Sequence, residues 1–459
     1  MIRSIVKRDG RVVLYDESKI AAAILKALTA AGNDDARAAA AVANAVGARL
    51  DARDVNAEPP TVEEIQDMVE KELMAAGHGE AAKKYILYRA ARTRVRETNT
   101  SLMKTFAEIT HEDARASDLK RDNANVDGNT AMGTMLQYGS TASKAYSEAY
   151  LLSPEQARAH REGDIHIHDF DFYALTTTCC QIDLLKLFKN GFSTGHGFLR
   201  EPQEISSYAA LACIAVQSNQ NDQHGGQSIV NFDYGLAPGV AKSYEKRWAE
   251  NITKYLDVLG VGHYTLDDAK AIIKKIKADT GRKPQLATDD AYLRSERAAF
   301  ADIPEETIRA AQTFAITKAA EEVDRNTYKA MVALVHNLNT MHSRAGAQTP
   351  FSSINYGTDT SPEGRMIIKN VLLATEAGLG HGETPIFPIH IFKVKEGVNY
   401  NEADPNYDLF RLSCKVSAKR LFPNYTFLDS PYNLQYYVPG RPETEGGGLH
   451  SCDIKASMG

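Results

Sequence analysis

Two short apolar runs open the chain, Ser4-Ile5-Val6 and Val12-Val13-Leu14, on either side of Asp9-Gly10. That dipeptide suits a tight type I′ turn, in which both central residues take positive φ, so a small β hairpin is predicted. Beyond it Ile20, Ile24 and Leu28 recur at helical spacing, and the Asp16 carboxylate can accept a free backbone N–H at the start of that helix. A second helix is predicted from Thr61, where Thr61 and Glu64 have capping-box spacing ahead of the stripe Val62, Ile65, Val69 and Leu73. A third runs through Ala82, Tyr85, Ile86 and Arg89, and the polar stretch Glu97 to Thr110 reads as a linker.

The remainder mixes the two periodicities. Tyr146 to Arg161 reads as helix with Pro154 placed for a helix start after Ser153, and Asp164 to Asp183 reads as loop and strand. Lys242 to Arg344 is mostly charged-amphipathic, with Ala-rich stretches such as Ile308 to Ala319 that suit helices. Pro385 to Phe392 looks like a buried strand, and Leu409 to Leu421 like another helix. Helices interspersed with apolar strands predict an α/β architecture after the small first domain.

Composition narrows the class. With 459 residues and 43% hydrophobic content the chain can bury a sizeable core. A net charge of −6, with cations interspersed among carboxylates, argues against a nucleic-acid partner. No apolar run approaches the roughly 20 residues of a membrane helix, and the N-terminus lacks a signal-peptide core, so a cytoplasmic protein with no membrane partner is expected. Cys179, Cys180, Cys213, Cys414 and Cys452 form no C-x-x-C pair. Reduced thiols are therefore expected, with no disulfide framework and no metal site.

Five segments carry candidate chemistry. Lys7, Arg8, Arg11 and Lys19 crowd the hairpin, which either holds a polyphosphate beside helix N-termini or is a solvated basic surface. His166-Ile167-His168-Asp169 offers two imidazoles and a carboxylate, too few ligands for a metal centre without others nearby. Cys179-Cys180 would send its two side chains to opposite faces of a strand, so that one can face a site while the other packs. His224-Gly225-Gly226-Gln227-Ser228 is either a ligand loop, whose glycines allow close backbone approach, or a structural turn. Lys419 to Asp429 reads by itself only as helix, turn and strand.

The order Val6-Lys7-Arg8-Asp9-Gly10-Arg11, then Asp16 to Ile20, Thr61 to Glu70 and Ala82 to Arg89, closely resembles the ATP-cone, an ATP/dATP-binding regulatory domain, here over residues 1–96. The resemblance implies that Lys7, Arg8, Asp9, Gly10, Lys19, Thr61, Lys84 and Arg89 lie near a bound nucleotide. No Walker-type glycine loop occurs, so the implied role is regulatory.

Residues 97–459 resemble the anaerobic (class III) ribonucleoside-triphosphate reductases. The resemblance rests on Gly163 to Tyr173, Cys179 with Gln181-Ile182-Asp183, Asn190-Gly191-Phe192, the His224–Ser228 loop, Arg420 to Asn424 and Asp429 to Asn433. It implies a ten-stranded α/β barrel of the glycyl-radical type, a homodimer, ribonucleoside triphosphates as substrates, and a glycyl radical installed by a radical-SAM activase. Cys179 matches the cysteine that donates hydrogen to the 2′ position, and the His224 to Ser228 loop lies at the substrate's phosphate or sugar side, with backbone N–H groups as phosphate contacts.

The match continues through Tyr436-Tyr437-Val438-Pro439-Gly440-Arg441-Pro442-Glu443-Thr444-Glu445 and then fails. The thiyl cysteine of the family has Met-Gly-Cys-Arg-Thr surroundings, whereas Cys452 comes one residue late among other neighbours. The later strands, the glycyl-radical loop and the C-terminal zinc site have no counterpart. The expectation is thus a partial barrel, truncated near Glu445. Three readings stay open: a reductase, a catalytically inactive ATP/dATP-binding remnant, and another glycyl-radical enzyme.

Overall fold

The computed structural model describes residues 4–8, 10–53, 58–111, 130–173, 177–261, 263–344, 347–441 and 444, the side chains of 97–101 excepted. These group into two compact units, Met1–His111 with Gly139–Asp171, and Glu112–Tyr138 with Phe172–Gly459.

In the first unit β1 (Ser4–Val6) and β2 (Val12–Leu14) form the expected antiparallel hairpin, Ser4 opposite Leu14 and Val6 opposite Val12. Its turn differs from the predicted two-residue form. The Lys7 N–H donates to the Arg11 carbonyl at 2.8 Å and the Gly10 N–H to the Lys7 carbonyl at 2.9 Å, leaving a three-residue loop that closes on Gly10 at φ +81°. Helix α1 (Glu17–Ala30) starts at an Asp16 cap, and α3 (Val62–Ala75) starts at Thr61 with the full capping box. Between them lies a helix the spacing argument passed over, α2 (Ala36–Asp51), capped by Asp35. Alanine dominates it, so its apolar stripe is faint, yet Val42, Val46 and Leu50 are fully buried against Ile24, Leu28, Val69 and Leu73. Each such side chain contributes about 1.5–3 kcal/mol. The hairpin is therefore seated on four helices.

Helix α4 (Gly79–His111) is continuous across the stretch expected to be a linker. After Gly79 it contains neither Gly nor Pro, so nothing breaks it, and only an apolar stripe, the signal that makes a helix legible in sequence, is missing. Then come α5 (Ala131–Tyr146), a π-helical turn over Ser147–Leu151, and α6 (Pro154–Glu162), with Pro154 in the first turn, a Ser153–Gln156 capping box and Gly163 at φ +86° after the last turn.

The second unit is α/β. It comprises β3 (Cys180–Ile182), α7 (Leu184–Lys189), a hairpin of β4 (Phe192–Ser193) and β5 (Phe198–Leu199), α8 (Ile205–Asn219) and β6 (Gln227–Ile229). There follow α9 (Phe232–Val258), α10 (Leu266–Thr280), α11 (Asp290–Ala299), α12 (Glu305–Thr340), β7 (Ser352–Tyr356), α13 (Pro362–Ala377), β8 (Ile389–Val394), α14 (Tyr407–Arg420), β9 (Asn424–Phe427) and α15 (Pro431–Leu434). The predicted strand at Pro385 begins only at Ile389, because Pro388 has no N–H to give a ladder.

Strands β3, β6, β7, β8 and β9 form one sheet in that order, every pair parallel. Each crossover steps one strand in the same direction. Right-handed crossovers that never reverse must place their helices on one face of the sheet. Ile229, Ile354, Tyr356, Phe392 and Val394 accordingly share a core with Leu236, Val240, Ala315, Val323 and Val371 of the helices. The opposite face carries none of these crossover helices. Five parallel strands are half the count of the ten-stranded barrel that the resemblance implies.

Candidate functional site

Alternation from the helix-packed positions puts Gln181, Ser228, Ser353, Asn355, Lys393, Asn424 and Thr426 on the opposite face, interspersed with Ile389 and Ile391. That face is polar yet covered: Ser228, Asn355 and Lys393 are fully buried and Ser353 is 1% exposed. Ser228 Oγ donates to Asn355 Oδ1 at 3.4 Å, and Lys393 Nζ donates to the Val230 carbonyl at 3.3 Å. Ser353, Asn355 and Lys393 were not singled out from sequence, although the alternation Ser353-Ile354-Asn355-Tyr356 carries the signal.

Cys179 directly precedes β3 (Cys180–Ile182). The His224 N–H donates to the Thr177 carbonyl at 3.0 Å, the Gly225 N–H to the Thr178 carbonyl, and the Cys180 N–H to the Gly226 carbonyl at 3.1 Å. Thr177 pairs with Gln223 but Cys180 with Gln227, so the loop strand holds one extra residue, a bulge at the two glycines. A Cβ on Gly225 would lie 2.1 Å from the Thr178 oxygen and 2.6 Å from Cys179 Sγ. The glycine is thus what lets the loop close on the cysteine. The His224 ring stacks on Phe172, centroids 4.7 Å apart.

Two expectations change here. The His224 and Gly225 N–H groups are used in strand pairing, so they are not the phosphate contacts expected of the loop. Gln227 turns to the helix side, donating to the Val216 carbonyl and accepting from Asn219 Nδ2, both at 2.8 Å. Adjacent strand residues face opposite ways, which separates Gln227 from Ser228.

Cys180 also faces the helices, accepting from Asn219 Nδ2 at 2.9 Å, and burial raises its thiol pKa. A cavity of about 710 Å³ beside β3 is lined by Cys180, Asp183, Lys186, Phe192 and Asn219. Cys179 is disulfide-bonded, while Cys180, Cys213 and Cys414 are free. The expectation of reduced thiols fails at Cys179, because composition cannot show which sulfurs the fold brings to bonding distance. Cys452 lies outside the described residues.

Open parallel sheets usually take ligands at the carboxyl ends of their strands. Here the chain's own polar groups seal those ends at β7 and β8. Fully buried Asp233 accepts from the N–H groups of Gly357, Thr358 and Asp359 at 2.8, 3.1 and 3.1 Å. Asn399 and Asn406 cap the Gly357, Lys393 and Asp359 carbonyls. Burial, and then Asp233, push the Asp359 carboxyl up to about 6.

On the hairpin unit Arg8, Lys19 and Arg89 are already matched with carboxylates. Arg8 donates to Glu63, and at 2.8 Å to Gln66. Arg89 reaches Glu63 at 2.7 Å and Glu70 at 2.9 Å, and Asp67 besides. Lys19 pairs with Asp16 at 3.2 Å, and Lys7 and Lys84 are exposed. The helix N-termini expected to favour phosphate are filled by Asp16 and by the Thr61–Glu64 box, the latter placing the Glu64 carboxylate 2.8 Å from the Thr61 nitrogen. Arg8 and then Arg89 hold the Glu63 carboxyl below its usual pKa. Asp9 lies outside the described residues.

The His166 and His168 rings stand 5.9 Å apart on a loop rather than a strand. No group of three or more His, Cys, Asp or Glu side chains that could hold a metal occurs among the described residues. No helix among them is long and apolar enough to cross a membrane.

Comparison with known proteins gives this geometry a class. The ATP cone domain model matches residues 3–94, so the first unit carries a nucleotide-effector domain. The model for anaerobic ribonucleoside-triphosphate reductase matches residues 122–446. The chain belongs to that family. It is 29% identical over 430 residues to the anaerobic ribonucleoside-triphosphate reductase of Salmonella typhimurium, covering 92% of this chain and 51% of the relative. The Escherichia coli enzyme of that name is 29% identical over 427 residues, with 92% and 51% covered. The chain therefore spans about half the length of the curated relatives it matches. A solved anaerobic ribonucleotide reductase from Thermotoga maritima, in complex with dATP and CTP, superposes over 76% of this chain and 52% of that one, at TM-score 0.42 and 12% identity.

Proposed function

We propose that this chain serves the anaerobic reduction of ribonucleoside triphosphates, with ATP or dATP as effector at the hairpin and a ribonucleoside triphosphate held beside Cys179 against the polar face of the sheet. The observation that carries the reading is Gly225 closing on Cys179, next to the face that bears Ser228. The bulged loop fixes the cysteine, and the polar strand positions beside it offer neutral partners for a sugar.

Removal of a ribose 2′-hydroxyl begins with abstraction of the 3′-hydrogen, and a stored glycyl radical, installed by a radical-SAM activase, supplies that chemistry when present. The residues of this chain do the rest of the work near the substrate. Ser228 and Asn355 orient, the buried sheet face excludes water, and Cys179 holds a transferable hydrogen. Cys179 is disulfide-bonded, so a dithiol must first deliver two electrons and two protons to it. At the hairpin Lys7, Arg8 and Lys19 meet the effector's phosphates, with Gly10, Thr61 and Lys84 around them. A partial barrel, a domain boundary near residue 96 and a homodimer complete the proposal.

Incubation of the full chain with dithiol, activase, S-adenosylmethionine, a reductant and CTP under strict anoxia tests it. Formation of dCTP, altered by ATP or dATP, is expected under the reductase reading. Binding of ATP and dATP without any deoxynucleotide would confine the chain to the regulatory reading.

A further inference from the structure

Arg344, on the segment that leads into β7, reaches back to the segment between α8 and β6. Its Nε donates to the Gln220 carbonyl at 3.0 Å, its terminal nitrogens donate to the Gln220 and Gln223 carbonyls, and Gln348 Oε1 accepts at 3.1 Å. All of these bonds end on amide oxygens and none on a carboxylate, while burial lowers the Arg344 pKa. A half-buried cation matched only by neutral groups is costly to keep. Its position supplies a reason. Gln220 caps the carbonyl end of α8, a helix with no basic residue in its own last turn, and a cation there meets unpaired carbonyls and the negative end of the helix dipole. Beside it Ser343 Oγ lies 2.6 Å from the Gln217 carbonyl oxygen, and Gln220 Nε2 donates to the Gln348 carbonyl at 3.1 Å.

The grip extends toward the cysteine. Gln223 is paired with Thr177, and the next two N–H groups, those of His224 and Gly225, donate to the Thr177 and Thr178 carbonyls. Gln223 is therefore the residue from which the bulged loop sets out toward Cys179 Sγ, and its carbonyl is held by Arg344. Its own side chain, 5% exposed, leaves both amide atoms without a hydrogen-bond partner among the described residues, so the hold falls to the backbone. A guanidinium presents five N–H donors in a planar fork and can seat two carbonyls at once, whereas a lysine ammonium is a point charge on a flexible stem.

We infer that Arg344 is a positioning residue for Cys179: by gripping the Gln220 and Gln223 carbonyls it ties the bulged loop to the end of α8 and keeps that loop closed on the sulfur. The inference rests on the reading above of Cys179 as the holder of the transferable hydrogen, and names the group that fixes where that hydrogen is presented. Arg344 itself carries out no chemical step. Loss of the grip frees the loop at its start, and the cysteine beside Gly225 is uncovered without the core being disturbed.

Alkylation of the full chain by iodoacetamide, after reduction with a dithiol and its removal, tests this in unaltered protein, Arg344→Met and Arg344→Lys, with each cysteine followed by peptide mass spectrometry. The chain carries its own controls. Exposed Cys414 reports the reagent, and Cys213, 3% exposed on α8, reports general loosening of the fold. Cys179 is expected to react at least about five-fold faster in Arg344→Met, with Cys213 and Cys414 within about two-fold, and Arg344→Lys, which keeps the charge without the fork, to lie between. A Cys179 rate unchanged in Arg344→Met, or one that rises only in step with Cys213, overturns the inference. Should Arg344→Met fail to fold, Arg344→Lys is judged by the same ratio of Cys179 to Cys213. Faster Cys179 alkylation in the variants, with no dCTP formed by the unaltered chain in the anoxic assay, overturns the substrate reading alone.

Discussion

Gly225 shows how one residue type can place a functional group. Any side chain there would drive its Cβ to 2.1 Å from the Thr178 oxygen and 2.6 Å from Cys179 Sγ, so Gly225→Ala must push the two strands apart. A loss of about 1–3 kcal/mol is expected from such overpacking, read by chemical denaturation. Unchanged stability would mean that loop and cysteine do not touch. His390 gives a pH signature. It is fully buried between the Tyr356 hydroxyl at 3.0 Å and the Thr375 hydroxyl at 3.3 Å, and burial pushes its pKa down to about 3. Unfolded, the ring has an ordinary pKa near 6.5. Between those values the unfolded chain binds the proton and the folded chain does not, so stability is full above about 6.5 and falls as pH drops toward 3. His390→Gln is expected to flatten that slope relative to the unaltered protein. An identical slope in both would contradict a neutral buried ring.

Local signals at the scale of the element were legible because their causes are local. Asp16 and Thr61 cap α1 and α3 as their spacing predicts, since a cap involves only neighbouring residues. Helix α2 lacks the large apolar residues that make a stripe legible, and the polar Glu97 to Thr110 stretch, which reads as a linker, continues α4. The candidate site was half legible. Cys180 packs on the helix side, accepting from Asn219 Nδ2, whereas the Cys179 sulfur lies beside Gly225 of the loop. Gln227 and Ser228 separate likewise, but which of them faces the open side depends on register with Cys180 and Ser352, partners remote in sequence. Ser353 and Asn355 became visible only once β7 was placed at the sheet centre. Thr61→Ala is expected to cost about 1 kcal/mol. The chain's single tryptophan, Trp248, is buried in the second unit. The far-ultraviolet circular dichroism transition should therefore shift while the Trp248 fluorescence transition stays put. A shift in the fluorescence transition would count against two separately cored units.

Over the whole molecule, the two proposed nucleotide sites rest on different physical grounds. At the hairpin Arg8 and Lys19 are exposed cations paired with carboxylates, which the phosphates of the proposed effector would displace. The sheet offers fixed neutral groups on a buried face. Sites built so differently should not compete for one ligand. Simultaneous equilibrium binding of labelled dATP and CTP to the reduced full chain, repeated with Lys7→Ala/Arg8→Ala, tests that division most directly. The account predicts that both nucleotides bind together, and that the double substitution weakens dATP at least ten-fold while CTP affinity changes less than about three-fold. Mutual displacement of the two nucleotides, or loss of both in the hairpin variant, would contradict it.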